Sequence, residues 1–136
     1  DNEDKEKIEK EIDTIEVEIR DQIVKNINTD LKIKSHIGER IKQRMEKAKK
    51  SNPNLNLNDI KEKVQYLDMM DYEDIIMDNW SIFEKTYQNK TTFKEKLTKL
   101  KTLRDCLKHN RDIDEVIFKE AEAAIIWFNK CFNSLQ

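Results

Sequence analysis

Residues 8–27 read IEKEIDTIEVEIRDQIVKNI, with isoleucine at 8, 12, 15, 19, 23 and 27. A spacing of three or four residues is the period of one helix face, so the stretch predicts a first helix of about 25 residues with one apolar stripe. Isoleucine is only a middling helix former, so burial of the stripe has to hold this helix. A second stripe follows at Ile33, Ile37, Ile41, Met45 and Ala48. Asn28, Thr29 and Asp30 offer a break and an N-cap between the two. The expectation is a long N-terminal antiparallel helix pair over residues 1–50. Ser51-Asn52-Pro53-Asn54 ends the second helix, because proline lacks an N–H and disfavours helix before it.

The remaining residues, 58–136, continue as helices. One starts at Asn58 or Asp59 as cap and carries Ile60, Val64 and Leu67. A short one follows with Asp71 as cap and Tyr72, Ile75, Ile76 and Met77 toward the core, and Asn79 marks a corner. Trp80, Ile82, Phe83 and Tyr87 read as an aromatic cluster of the core rather than a base-stacking platform. Thr91 or Thr92 caps a longer helix bearing Phe93, Leu97, Leu100, Leu103 and Leu107, with Glu95 at the capping-box spacing from Thr92. The last helix opens at Asp114 and Glu115, runs to about Asn133, and buries Val116 or Ile117, Ala121, Ala124, Ile125, Phe128 and Phe132. Ala121, Ala123 and Ala124 permit close helix approach. The whole chain reads as a single all-α domain, a bundle of about five to six helices.

Composition excludes several functional classes. One Gly and one Pro in 136 residues cannot supply the turns of a β-sandwich or a Gly-rich phosphate loop. No run approaches the roughly 18 apolar residues of a membrane span, so no membrane role is expected. Cys106 and Cys131 suit a reducing, cytoplasmic setting rather than a disulfide framework. Cys106 and His109 supply too few ligands for zinc, and the carboxylates Asp68, Asp71, Asp74 and Asp78 lack the loop geometry of a calcium site, so neither metal nor cofactor is expected. His36 reads as a surface or packing residue. The acidic N-terminus has no apolar core segment and reads as no signal peptide. The chain starts with Asp, which suggests a domain excised from a longer protein.

The net charge of −2 is unevenly laid out. Residues 1–21 lean acidic, residues 32–50 basic, and a second basic run covers Lys94, Lys96, Lys99, Lys101, Arg104, Lys108 and Arg111. That run surrounds Leu103-Arg104-Asp105, followed by His109-Asn110-Arg111. Together with Met70-Asp71-Tyr72, Asn79-Trp80 and Phe83, in that order, this resembles the HEPN superfamily (higher eukaryotes and prokaryotes nucleotide-binding domains). The similarity is to the subfamily found at the C-terminus of a nuclear RNA-surveillance endonuclease and in bacterial defence proteins. It covers about residues 58–130, where Arg104, Asp105 and His109 match the family's Arg-polar…His motif.

The resemblance implies a metal-independent endoribonuclease that cleaves single-stranded RNA by 2′-OH attack, in RNA processing, a toxin–antitoxin system or antiviral defence. The alternative is a non-catalytic HEPN module that dimerises or binds RNA or protein within a larger chain. On the catalytic reading Arg104 holds the scissile phosphate, His109 acts as base or orients the 2′-OH, and Asp105 orients Arg104 or His109. Lys94, Lys101, Lys108, Asn110 and Arg111 would contact the RNA backbone. The implied partners are RNA, a second copy in a homodimer, other domains of a longer chain, or an antitoxin. The chemistry suits the residue types: histidine titrates near neutrality, and arginine offers a permanent planar fork for phosphoryl oxygens. Five residues on a helix are about 140° apart, so the pair converges only if the helix ends between them or a partner chain contributes. Structural roles stay open beside these: an Arg104 salt bridge to Asp105 or Asp71, and His109 at the negative end of a helix.

Overall fold

The computed structural model describes residues 2–26, 32–109 and 111–134. It is all-α, with seven helices and no strand among the described residues. They are α1 (Asn2–Asn26), α2 (Ser35–Lys49), α3 (Ile60–Val64), α4 (Met69–Asp78), α5 (Trp80–Tyr87), α6 (Lys90–Lys108) and α7 (Glu115–Asn133). The helix beyond the expected five to six is α5. Trp80, Phe83 and Tyr87 stand at i, i+3 and i+7, so the aromatic cluster is itself a helix face. Asn28, Thr29 and Asp30, expected as break and cap, lie outside the described residues, as does Ile27.

The chain divides into two compact units, Asp1–Glu18 with Phe83–Gln136, and Ile19–Ile82. Both draw on the α1 stripe. Ile8, Ile12 and Ile15 are at most 3% exposed in the first unit, and Ile19 and Ile23 are fully buried in the second. Each buried isoleucine contributes roughly 1.5–3 kcal/mol, which offsets its modest helix propensity.

In the first unit α6 and α7 run side by side. Phe93, Leu97, Leu100 and Leu103 face inward from α6, and Ala121, Ala124, Ile125 and Phe128 from α7. Fully buried Ala121 and Ala124 let the two backbones approach, while Ala123 faces solvent and takes no part. Val116 is 60% exposed; Ile117 is half-buried and takes the inward place. Tyr87 stands 4.7 Å from Phe93 and packs edge-on to Phe128 and Phe132, so its ring partners come from α6 and α7. Gln88, after α5, has φ 64°, a left-handed conformation that costs a non-glycine residue about 1–2 kcal/mol. The next residue, Asn89, caps α6 by accepting the Thr92 N–H. The cap therefore precedes Thr91 and Thr92, which occupy the first turn. Asp114 caps α7 as expected, accepting from the Val116 N–H.

The second unit packs Ile37, Ile41 and Met45 of α2, Val64 of α3, and Met69, Tyr72, Ile75 and Ile76 of α4. Asp59 caps α3, accepting from the Lys61 N–H. The cap of α4 is Asp68, not Asp71: Asp68 and Asp71 exchange backbone N–H bonds in a capping box, which places Asp71 inside the first turn. At the other end, Asn79 closes α4 and is 6% exposed. Its side chain accepts the Lys32 N–H at 2.7 Å and donates to the Lys32 carbonyl at 2.7 Å.

Candidate functional site

The Arg104–His109 segment occupies the last turns of α6. The helix is regular through Lys108, and His109 is its C-cap with φ −100° and ψ 12°. The Arg111 N–H bonds the Cys106 carbonyl at 3.1 Å, the six-to-one closure of a Schellman end. Regular helix up to Lys108 carries His109 about 140° around the axis from Arg104. Among the described residues, no hydrogen bond joins the two side chains.

Arg104 turns to α1. Its guanidinium lies 2.5 Å from Asp13 Oδ1 and 2.8 Å from Glu16 Oε2. Asp13 and Glu16 are at i, i+3, so one face of α1 presents both carboxylates. Glu16 is 9% exposed, and a carboxylate that buried needs a cation beside it. Arg104 is thus an ion-pair residue, with partners other than the expected Asp105 or Asp71. Asp105 is exposed, and among the described residues it bonds neither Arg104 nor His109 through its side chain.

The remaining residues of the motif face outward. His109, Lys108, Arg111 and Lys94 are exposed, and Lys101 is half-buried. Asn110 lies outside the described residues. Lys94, Lys101 and Lys108 recur every seven residues, so they follow one side of α6. Beside them Lys99 pairs with Glu120 of α7, which raises the Lys99 pKa through that hydrogen bond and its charge.

A second charged cluster sits in the other unit and was not singled out by sequence. Asp71 is fully buried. Arg40 and Arg44, one turn apart on α2, both bond it, Arg44 at 2.8 Å. Arg44 also reaches Asp68 at 3.3 Å and donates to the Tyr66 carbonyl at 2.7 Å. Burial pushes the Asp71 carboxyl up. The Asp68 N–H, the Arg44 hydrogen bond and the charges of Arg40 and Arg44 outweigh it and hold the pKa below its ordinary value. The Asp71 hydrogen bond in turn raises Arg44. The available signal was the Asp68-x-x-Asp71 spacing opposite an i, i+4 arginine pair. The two arginines face inward to this carboxylate, so this cluster builds the fold.

Among the described residues, no group of three or more His, Cys, Asp or Glu side chains is placed to hold a metal ion. No helix among them is long and apolar enough to cross a membrane. Both cysteines are free thiols, and burial pushes Cys131 up to about 11. Comparison with protein-family models, curated proteins and solved structures finds no match.

Proposed function

We propose that the chain is a HEPN-like helical module that binds a partner, RNA or protein, without cleaving RNA. The observation that carries this reading is the double engagement of Arg104. Its Nη2 already holds Asp13 and Glu16, so a scissile phosphate would have to share the guanidinium with two carboxylates. Asp13, Glu16 and Arg104 together carry one net negative charge, which opposes a phosphate at that guanidinium. The exposed cations Lys94, Lys108 and Arg111 remain as binding contacts rather than catalytic ones. Homodimerisation, a place inside a longer chain and a cytoplasmic setting belong to the same proposal. They follow from the family resemblance and from the two unpaired cysteines.

One observation favours the second reading, a metal-independent endoribonuclease of RNA processing or defence. His109 is exposed at the helix end beside Lys108 and Arg111. It could take the proton of a 2′-OH as that oxygen attacks phosphorus and the 5′-oxygen leaves, with a second copy supplying the other cation. The test is incubation of single-stranded RNA with the wild type, His109→Ala and Arg104→Ala in the presence of a chelator. The module reading expects no cleavage by the wild type above the background of the two variants. Cleavage that disappears in both variants overturns it and establishes the ribonuclease.

A further inference from the structure

The chain has one glycine, and it stands inside a helix. Gly38 lies in the second turn of α2, where glycine is less favourable than alanine. Nothing local requires it. No glycine in the chain has positive φ, so the backbone would accept any residue. No atom lies within 4 Å of where a Cβ would stand, so no neighbour demands the missing side chain. What a side chain there would enter is a cavity of about 550 Å³ within the Ile19–Ile82 unit.

The cavity has the composition of a ligand site. Ile23, Ile41, Met45, Val64 and Leu67 form its apolar wall, each less than a tenth exposed. Ile33 and Ile60 also line it and are 37% exposed, apolar surface that a ligand would cover. The charged lining residues are Lys34, Lys42 and Lys63, with no Asp or Glu, in a chain whose acids outnumber its bases 28 to 26. Lys34 is paired with Asp78 at 3.3 Å. Among the described residues neither Lys42 nor Lys63 is in an ion pair. An apolar cavity of this volume with a few placed polar groups is what small-molecule sites share.

We propose that this cavity binds a single-chain amphiphile with an anionic head, a long-chain carboxylate, its tail against Met45 and Val64 and its head on Lys42 and Lys63. Half of the lining residues, Gly38 and Lys42 among them, are exposed, so a ligand can enter from solvent. The all-lysine charge of the lining calls for an anionic head, and a volume of about 550 Å³ takes one alkyl chain rather than a helix about 10–12 Å wide with its side chains. Gly38 keeps this slot open. This inference concerns a unit of the molecule separate from Arg104, and stands or falls apart from the reading given there.

The test is calorimetric titration of the full chain with monomeric dodecanoate, with dodecanol and an acidic amphipathic peptide as comparisons. The wild type is expected to bind one dodecanoate saturably. Loss of charge-assisted contacts should weaken binding about tenfold or more for dodecanol, and for dodecanoate with Lys42→Glu/Lys63→Glu. Gly38→Leu fills the slot and should abolish binding, while its melting temperature stays level or rises, because leucine is the better helix former. That combination separates lost binding from lost fold. Absence of saturable binding, undiminished binding by Gly38→Leu, binding only to lipid vesicles, or binding of the peptide alone each overturns the proposal.

Discussion

The two units each hold an arginine–carboxylate cluster, and the two are built in opposite senses. In one, the single guanidinium of Arg104 lies between two carboxylates, and it is 26% exposed. In the other, the single carboxylate of Asp71 lies between two guanidinium groups, and it is fully buried. Arg104 can lose its exposed partner, Asp13, to water at little cost. A buried aspartate cannot, because water does not reach it to replace what is lost. Similar pairs of side chains therefore carry different weight, and burial of the shared group decides which.

The sharpest way to break the comparison is to remove one arginine from each cluster. Arg44→Ala leaves Asp71 with Arg40 alone and strips a donor from the Tyr66 carbonyl. We expect a loss of about 3 kcal/mol, the low end for a broken buried pair because Arg44 is itself a third exposed. Arg104→Ala should cost less, about 2 kcal/mol, between an exposed pair and a fully buried one, because Asp13 is exposed and Glu16 is not. Urea unfolding monitored by circular dichroism measures both, and equal losses would remove the distinction between the clusters.

A smaller effect separates them by pH. The Asp71 pKa is lowered in the fold, so its ionised form stabilises the protein fully above the ordinary value of 3.8. As pH falls through the depressed folded value, protons bind the unfolded chain in preference and that stability is lost. Asp71→Asn should be less stable than the wild type at neutral pH, and its deficit should shrink below about pH 4. A deficit that is constant with pH would mean that Asp71 acts by shape alone.

The smallest prediction is a backbone control outside both clusters. Gln88→Gly relieves the left-handed φ of 64° and should stabilise the protein by about 0.5–1 kcal/mol, net of the entropy glycine adds to the unfolded chain. Thermal melts read it, and a loss of stability would show that the Gln88 side chain does more than tolerate its backbone.

Much of the fold was legible because it rests on local periodicity. The isoleucine stripe of α1, the Asp59 and Asp114 caps and the Pro53 stop all act within a few residues. Caps went astray where a local sequence offers rivals. Asn89, Thr91 and Thr92 are all cap-forming types, as are Asp68 and Asp71, so residue type alone does not choose among them. The candidate site was legible as a motif but not as a set of contacts. Arg104 lies 91 residues from Asp13, a separation that no pattern spans. The acidic excess of residues 1–21 marked the first helix as a salt-bridge donor of carboxylates without saying to which arginine. Gly38 carried a signal in its rarity, yet the cavity over it depends on side chains from α1, α2 and α3 at once.

The Asn79 side chain treats Lys32 as one peptide group meets another, giving a donor and taking one. It thus reads the main chain at position 32 and ignores what the side chain there is. Position 32 should accept almost any substitution except proline, whose nitrogen has no hydrogen to give. Position 79 should accept almost none, since aspartate keeps the shape but cannot donate to the Lys32 carbonyl. Mutational tolerance along this chain is therefore set in places by who is recognised as backbone, and a variable residue can be held as firmly as an invariant one.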